Sequence, residues 1–349
     1  MLYFLRVRRQ NARPAKGKGR HVMLRVIRII ALAALALSSA SMAAQDVDDG
    51  AGCPGRPVRI IVPFPPGGPT DLTARLFAEK MSKQWGQPVI VENRAGGNSA
   101  IGARYVASAA PDGYTLLVAM DTTLVMNPIT TSDLPYNAAK DFAPISLIAQ
   151  NTSLLIVRGD GPQTARELIA LARQSPGKIN YGAGTITTRL AGYLFSRMAG
   201  ADTVFIPYKG SAEVVQGLLT HSIDFSVDGV SASLPLIQQG KLKALAKLNH
   251  RPLAALPDLQ HLSAAADLPG LGDISTWSGL VAPAGTPPGI VEKINAAAAK
   301  AAADPEMGAK LGRFGINPVS TSPAEFESYV RGEVGRWSKV FAESGIKLD

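Results

Sequence analysis

From residue 58 onward the chain alternates short apolar runs with segments of helical periodicity. Val58–Val62, apolar apart from Arg59 and rich in β-branched residues, reads as a buried strand. Thr70–Trp85 carries apolar residues at Leu72, Leu76, Met81 and Trp85, one face of an amphipathic helix. The same reading predicts strands at Val89–Glu92, Thr115–Ala119, Ile179–Tyr181, Val204–Ile206, Ile223–Val227 and Leu242–Leu248. Between them it predicts helices at Ala100–Ala109, Ala165–Gln174, Thr188–Met198, Ser211–Leu219 and Ser233–Gln239. Repeated βαβ order argues mainly parallel sheets with helices on both faces. Nearer the C-terminus, Ile274–Ala282 reads as a strand, and Pro287-Pro288 opens an alanine-rich helix, Gly289–Ala303. A last helix is expected over Pro323–Ser344.

The residues that follow the N-terminal leader exceed one typical hydrophobic core and favour two lobes. Ser146–Val157, interrupted by Gln150-Asn151-Thr152-Ser153, and Leu242–Leu248 are the candidate crossings between them. These crossings set the expected division: residues 55–150 and 250–349 form lobe 1, and 151–249 form lobe 2. The cleft between two α/β lobes, outside the carboxyl ends of their strands, is the expected ligand site.

Charge changes the picture once the N-terminus is set aside. Residues 1–43 hold nine basic residues and no acidic one, an apolar stretch Ile29–Leu37, and the small-residue site Ser41-Met42-Ala43. That is the layout of a secretory signal peptide, with an apolar stretch shorter than the about 20 residues of a membrane span. Met23 is an alternative start, in which case residues 1–22 are an annotation extension. The whole chain has 36 Lys+Arg against 27 Asp+Glu; without the leader the count is 27 against 27. The basic balance therefore belongs to the leader, and nucleic-acid binding loses its electrostatic motive. Periplasmic export follows from the same leader.

Candidate chemistry is sparse. The single cysteine, Cys53, forms no intramolecular disulfide. His221, His250 and His261 each sit in a polar or loop context and read as surface residues, so no metal site is expected. Nucleophile-elbow, Walker A, HExxH and EF-hand patterns are all missing, which disfavours an enzyme, and no cofactor is implied. What does recur is a polar loop after a strand: Pro65–Asp71, Asp121-Thr122-Thr123, Gly182–Arg189 and Asp228–Ser231. Singly, each is an ordinary turn with a Thr, Ser or Asp helix cap. The first also fits an anion site, because Gly67-Gly68 leads into a helix N-terminus at Thr70-Asp71. Together they describe a polar cleft suited to reversible binding.

Long motifs carry a family resemblance. Arg56–Asp71, Gln87–Arg94, Ala110–Leu117, Pro207–Ala212, Ala282–Pro288 and Gly345–Lys347 resemble, in order, the Bug-type proteins, the solute receptors of tripartite tricarboxylate transporters. The resemblance implies a two-lobed periplasmic binding fold of type II that closes on a small carboxylate. It implies that Gly67, Gly68, Thr70 and Asp71 hold one carboxylate end, that Phe64 walls the pocket, and that Thr122, Thr123, Gly184, Thr187, Thr188 and Asp228 face the ligand. Asp121 stands where relatives usually carry a small hydroxyl residue or glycine, and would pair with an ammonium group. Arg189 replaces a frequent histidine and either clamps a distal carboxylate or points outward. The Gly182–Arg189 loop is about two residues shorter than in relatives. The implied ligand is a mono- or dicarboxylate, an amino acid or an aromatic acid. The implied partner is the membrane part of such a transporter, with a signalling receptor as the alternative. A monomer is the natural expectation.

Overall fold

The computed structural model describes residues 54–269 and 273–344. The leader, Cys53 and the Gly345–Lys347 match lie outside the described residues.

Two sheets organise the chain. The six-stranded one has the order β11-β4-β10-β3-β1-β2 and the five-stranded one β7-β6-β8-β5-β9. In the first, β1 (Val58–Val62), α1 (Pro69–Trp85), β2 (Val89–Asn93), α2 (Ala100–Ala107) and β3 (Thr115–Met120) form the expected βαβαβ run, with β1 parallel to both neighbours. Every residue of β3 is buried, because helices cover both faces. In the second sheet, β6 (Ile179–Ala183) is likewise parallel to β7 (Thr203–Pro207) and β8 (Phe225–Gly229).

Each sheet is mixed rather than mainly parallel, and the crossings explain why. β4 (Phe142–Asn151) passes through Thr152 directly into β5 (Ser153–Arg158) of the other sheet. The chain returns from β9 (Leu242–Lys247) to β10 (Thr276–Pro283), which pairs antiparallel with β4, as β9 does with β5. Outgoing and returning strands that lie side by side must run in opposite directions. Asn249 ties the two crossings together: its amide nitrogen is 3.3 Å from Thr152 Oγ1 and 3.1 Å from Ser275 Oγ.

Helices α4 (Ala165–Gln174), α5 (Ile186–Met198), α6 (Ser211–Leu219) and α7 (Val230–Gln238) surround the second sheet. α9 (Pro288–Ala302), with Pro288 at its first turn, and α11 (Pro323–Ser344) occur where the alternation of residues places them. Five elements have no counterpart in the sequence reading: a π-helical turn Thr122–Met126, the α3 (Asn127–Thr130) into which it runs, α8 (Leu262–Ala265), α10 (Pro305–Gly312) and β11 (Ile316–Pro318). α10 had a legible start, since Asp304 caps the N–H groups of Glu306 and Met307 ahead of Pro305. The π-helical turn did not, because its polar Thr122 and Thr123 are wholly buried by tertiary packing; Tyr136 Oη donates to the Thr123 carbonyl at 2.7 Å.

Candidate functional site

Four helix N-termini meet at one narrow cavity of about 70 Å³ between the two sheets. From the first lobe come Phe64, Gly68, Thr70 and Asp71 at the start of α1, with Met120 at the end of β3. From the second come Thr185 and Thr188 at the start of α5, Gly210 and Ser211 at the start of α6, and Asp228-Gly229 leading into α7. First-turn N–H groups have no partner within their own helix, and the aligned peptide dipoles leave positive potential there. No Lys or Arg lines the cavity. Any anion it holds must rest on backbone N–H groups and hydroxyls.

The first loop is built around Asp71. Its carboxylate accepts from Gly67 N–H at 3.1 Å, from Arg75 at 3.0 and 2.9 Å, and from Asn93 at 2.9 Å. Burial pushes the Asp71 carboxyl up, but the bonds from Arg75, Asn93 and Gly67 outweigh it and hold it below the usual carboxylate range. Asp71 therefore shapes the Pro65–Gly68 turn. Gly67 sits at φ +91°, a conformation that favours glycine, and Asn93 also donates to the Phe64 carbonyl at 3.1 Å.

Asp228 faces the cavity with one oxygen committed. Oδ1 accepts from Ser211 Oγ and from Gly229 N–H, both at 2.8 Å, while Oδ2 is buried without a hydrogen-bond partner. Burial pushes its carboxyl up to about 6. The sequence placed Asp228 in a loop after the strand; pairing of Leu154 with Asp228 and Ser153 with Gly229 carries β8 two residues further, so α7 starts with no loop between. The helix expected from Thr188 begins two residues earlier, so Thr187 joins Thr188 and Arg189 in the first turn of α5, where Thr185 and Thr188 make a reciprocal capping box.

Several expected ligand contacts lie elsewhere. Asp121 is wholly buried and accepts from Thr187 Oγ1 across the two lobes, beneath the cavity rather than in its wall. Burial pushes its carboxyl up to about 7. Thr123 Oγ1 donates to Ser99 Oγ at 2.9 Å, and Thr122 is buried beside it; neither lines the cavity. Gly184 lets the β6–α5 turn approach the next one: a Cβ there would meet Gly210 Cα at 2.7 Å. Arg189 lays its guanidinium 4.3 Å from the centre of the Phe205 ring, outside the cavity wall. Residues the sequence reading did not single out complete the wall, among them Ser211, Gly229, Met120 and Thr276. For Ser211 the signal was available, as the first residue of a helix after Lys209-Gly210.

The lobes touch on either side of the cavity. A Cβ on Gly229 would lie 2.8 Å from Pro69 Cγ, and one on Gly210 would lie 3.6 Å from Pro65 Cδ. A larger groove of about 930 Å³ runs between Leu134–Ala139 and α11, but its charged lining residues, Glu327 and Arg331, pair with each other at 2.8 Å. It gathers no set of helix N-termini, so the smaller interlobe cavity is the candidate site.

One histidine departs from expectation. His221 and His250 are exposed, whereas the His261 side chain is only 6% exposed.

Residues 73–346 match the model of the tripartite tricarboxylate transporter family receptor. The chain belongs to this family. It is 35% identical over 293 residues to a "UPF0065 protein in tcbD-tcbE intergenic region" of a Pseudomonas species, covering 83% of this chain and 87% of that one. It is 32% identical to protein BugT of Bordetella pertussis, covering 84% and 91%. Among solved structures, the R. palustris protein Rpa4515 with adipate aligns with a TM-score of 0.81 at 33% identity, over 84% of this chain and 99% of that one. MatC from Rhodopseudomonas palustris with bound malate aligns with a TM-score of 0.75 at 30% identity, over 82% and 99%. The two-lobed periplasmic binding fold is thus shared with receptors of this family, which bind solutes rather than transform them. Among the described residues, no helix is long and apolar enough to cross a membrane.

Proposed function

We propose that this protein is an exported receptor that closes its two lobes on a small carboxylate and delivers it to a tripartite tricarboxylate-type membrane transporter. The observation that carries this reading is the convergence of four helix N-termini on one cavity that no cationic side chain lines. Such an arrangement suits a carboxylate, whose oxygens accept several N–H bonds at once. Residues 55–150 and 250–349 act as one lobe and 151–249 as the other, with the leader 1–43 removed on export and the mature protein working as a monomer. Gly68 and Thr70 bind from one side and Thr188 and Ser211 from the other, with Phe64 against the ligand's carbon skeleton.

Asp228 narrows the choice. Its unpartnered Oδ2 would repel a second carboxylate but accepts from a hydroxyl or ammonium group. A hydroxy- or amino-bearing carboxylate therefore fits better than a plain one. The malate-bound relative supports this order, while the adipate-bound one shows that the fold also hosts a plain dicarboxylate.

Native mass spectrometry of protein purified without refolding, followed by a thermal-shift screen of carboxylates, tests the reading. A ligand at about 100 times its dissociation constant adds about 2.7 kcal/mol of stability. A protein that carries no small acid and responds to none of the hydroxy, amino or plain carboxylates overturns it.

A further inference from the structure

We propose that His250, His261 and Asp273 form a site for a divalent transition-metal ion at the returning crossing between the lobes. The three residues come from separate places: the residues just after β9, the N-cap of α8, and the approach to β10. Folding gathers one ligand atom from each within 4.8 Å of one another. Asp273 Oδ1 lies 2.7 Å from His250 Nδ1 and 3.3 Å from His261 Nε2. The two imidazoles stack with centroids 4.0 Å apart and planes 19° from parallel, so the His250 ring must swing out of the stack before its in-plane lone pair can meet an ion held by His261.

His261 is the anchor. Its side chain is nine-tenths buried, and Nε2 has no hydrogen bond despite facing Asp273. A buried ring nitrogen left this way is costly unless something else binds it. Its other nitrogen, Nδ1, is 2.7 Å from Ser263 Oγ. When that hydroxyl accepts the Nδ1 proton, the Nε2 lone pair is directed at the cluster, the usual outer support of a metal-bound histidine. In this structure the same Nδ1 accepts from the Ser263 N–H at 3.2 Å, which leaves the proton on Nε2, so metal binding displaces that proton and turns the ring to its other tautomer.

The spacing fits a small ion. Ligand bonds of about 2.0–2.1 Å in a tetrahedral site set neighbouring ligand atoms roughly 3.3 Å apart. His261 and Asp273 already stand at that separation. His250 must rotate out of its stack on His261 and retreat from Asp273 by roughly 0.6 Å, exchanging its hydrogen bond for a metal bond; at 71% exposure it is free to do so. Two nitrogens and one carboxylate oxygen suit Zn²⁺, Ni²⁺ or Cu²⁺, with water at the open position. They are too few hard oxygens for Ca²⁺ or Mg²⁺. Arg336 donates to the Asp273 backbone carbonyl at 2.6 Å, and Lys247 Nζ to the Arg251 carbonyl at 2.9 Å. Both cations are thereby held on backbone oxygens rather than on the Asp273 carboxylate, whose Oδ2 accepts from the His250 backbone N–H at 3.4 Å. Because Asn249, which bridges the two crossings, sits beside His250, an ion here would fasten the crossing segment at both of its ends.

The test is calorimetric titration of tag-free, chelator-stripped protein with ZnCl₂ and with NiCl₂. One saturable site per chain is expected, weakened at least tenfold in His250→Ala and in Asp273→Asn and unchanged in His221→Ala. The first two positions are exposed, so these variants keep the fold; circular dichroism checks this. Cobalt(II) substitution adds a spectroscopic readout, a visible band that His250→Ala alters. Absence of saturable binding, or equal binding in all variants, overturns the proposal. Neither result bears on carboxylate binding, which uses a different site.

Discussion

Asp121, at the end of β3, accepts a hydrogen bond from Thr187 on the first turn of α5, so a buried carboxylate joins one lobe to the other directly beneath the cavity. Its second oxygen, Oδ1, is buried without a partner.

That carboxylate makes stability depend on pH in a defined direction. Burial raises Asp121 in the folded protein to about 7 from its ordinary 3.8, so folding favours the protonated form. The stabilisation is complete below the ordinary value and is lost as pH rises through the folded one. Asp228, raised to about 6 by burial, adds a similar loss that ends sooner. Between pH 5 and 6 the difference between parent and Asp121→Asn should therefore change by about 1.4 kcal/mol per pH unit, flattening as pH passes 7. Denaturant unfolding across pH 5–8 measures it, and the contribution of any other titrating group, such as His261, cancels in the comparison. Parallel stability curves in that window would show that Asp121 does not titrate there.

Asp228→Asn should erode discrimination for a donor-bearing ligand. A hydrogen bond to a charged acceptor contributes about 1.5–3 kcal/mol, so the preference for a hydroxy acid over its deoxy counterpart should fall roughly tenfold or more. Calorimetry with malate and succinate reads the ratio. An unchanged ratio would place the ligand's donor elsewhere.

Gly229→Ala should weaken closure. The backbone there, φ −68° and ψ 153°, accepts alanine, so the lobe itself should fold normally. The new methyl, however, would sit 2.8 Å from Pro69 Cγ of the opposite lobe. Ligand affinity should drop at least tenfold, about 1.4 kcal/mol, with the unliganded melting temperature nearly unchanged.

Arg189→Ala should leave affinity within about twofold for every carboxylate tried, because the guanidinium rests on Phe205; its loss should instead cost about 0.5–1 kcal/mol of stability. A large, ligand-specific loss of binding would restore the clamp role.

Much of the fold was legible. Runs such as Ile60–Val62 and Leu116–Met120 are buried on both faces and are therefore continuously apolar, and Thr70–Trp85 repeats its apolar residues at helical spacing. Strand direction was less so: the βαβ order implied parallel pairing, while β4 and β10 run antiparallel because two crossings lie side by side. The site was legible in part. Phe64, Gly68, Thr70, Asp71, Thr188 and Asp228 do line the cavity, since their loops follow strand ends. Asp121 was expected to face the ligand and lies outside the cavity wall, and Arg189 takes the outward one of its two alternatives, because nothing local separates a side chain that enters a cleft from one that turns beneath it or onto a ring.

By itself the sequence determined the α/β alternation, the glycine turn into the first long helix and the family motifs. These are local: each depends on periodicity, φ preference and capping within a few residues. Tertiary structure alone decided which helix N-termini converge, which oxygens of Asp121 and Asp228 stay unpaired, and that His250, His261 and Asp273 share one corner. Those facts depend on how segments more than ten residues apart approach one another, and a short-range pattern carries no information about that distance.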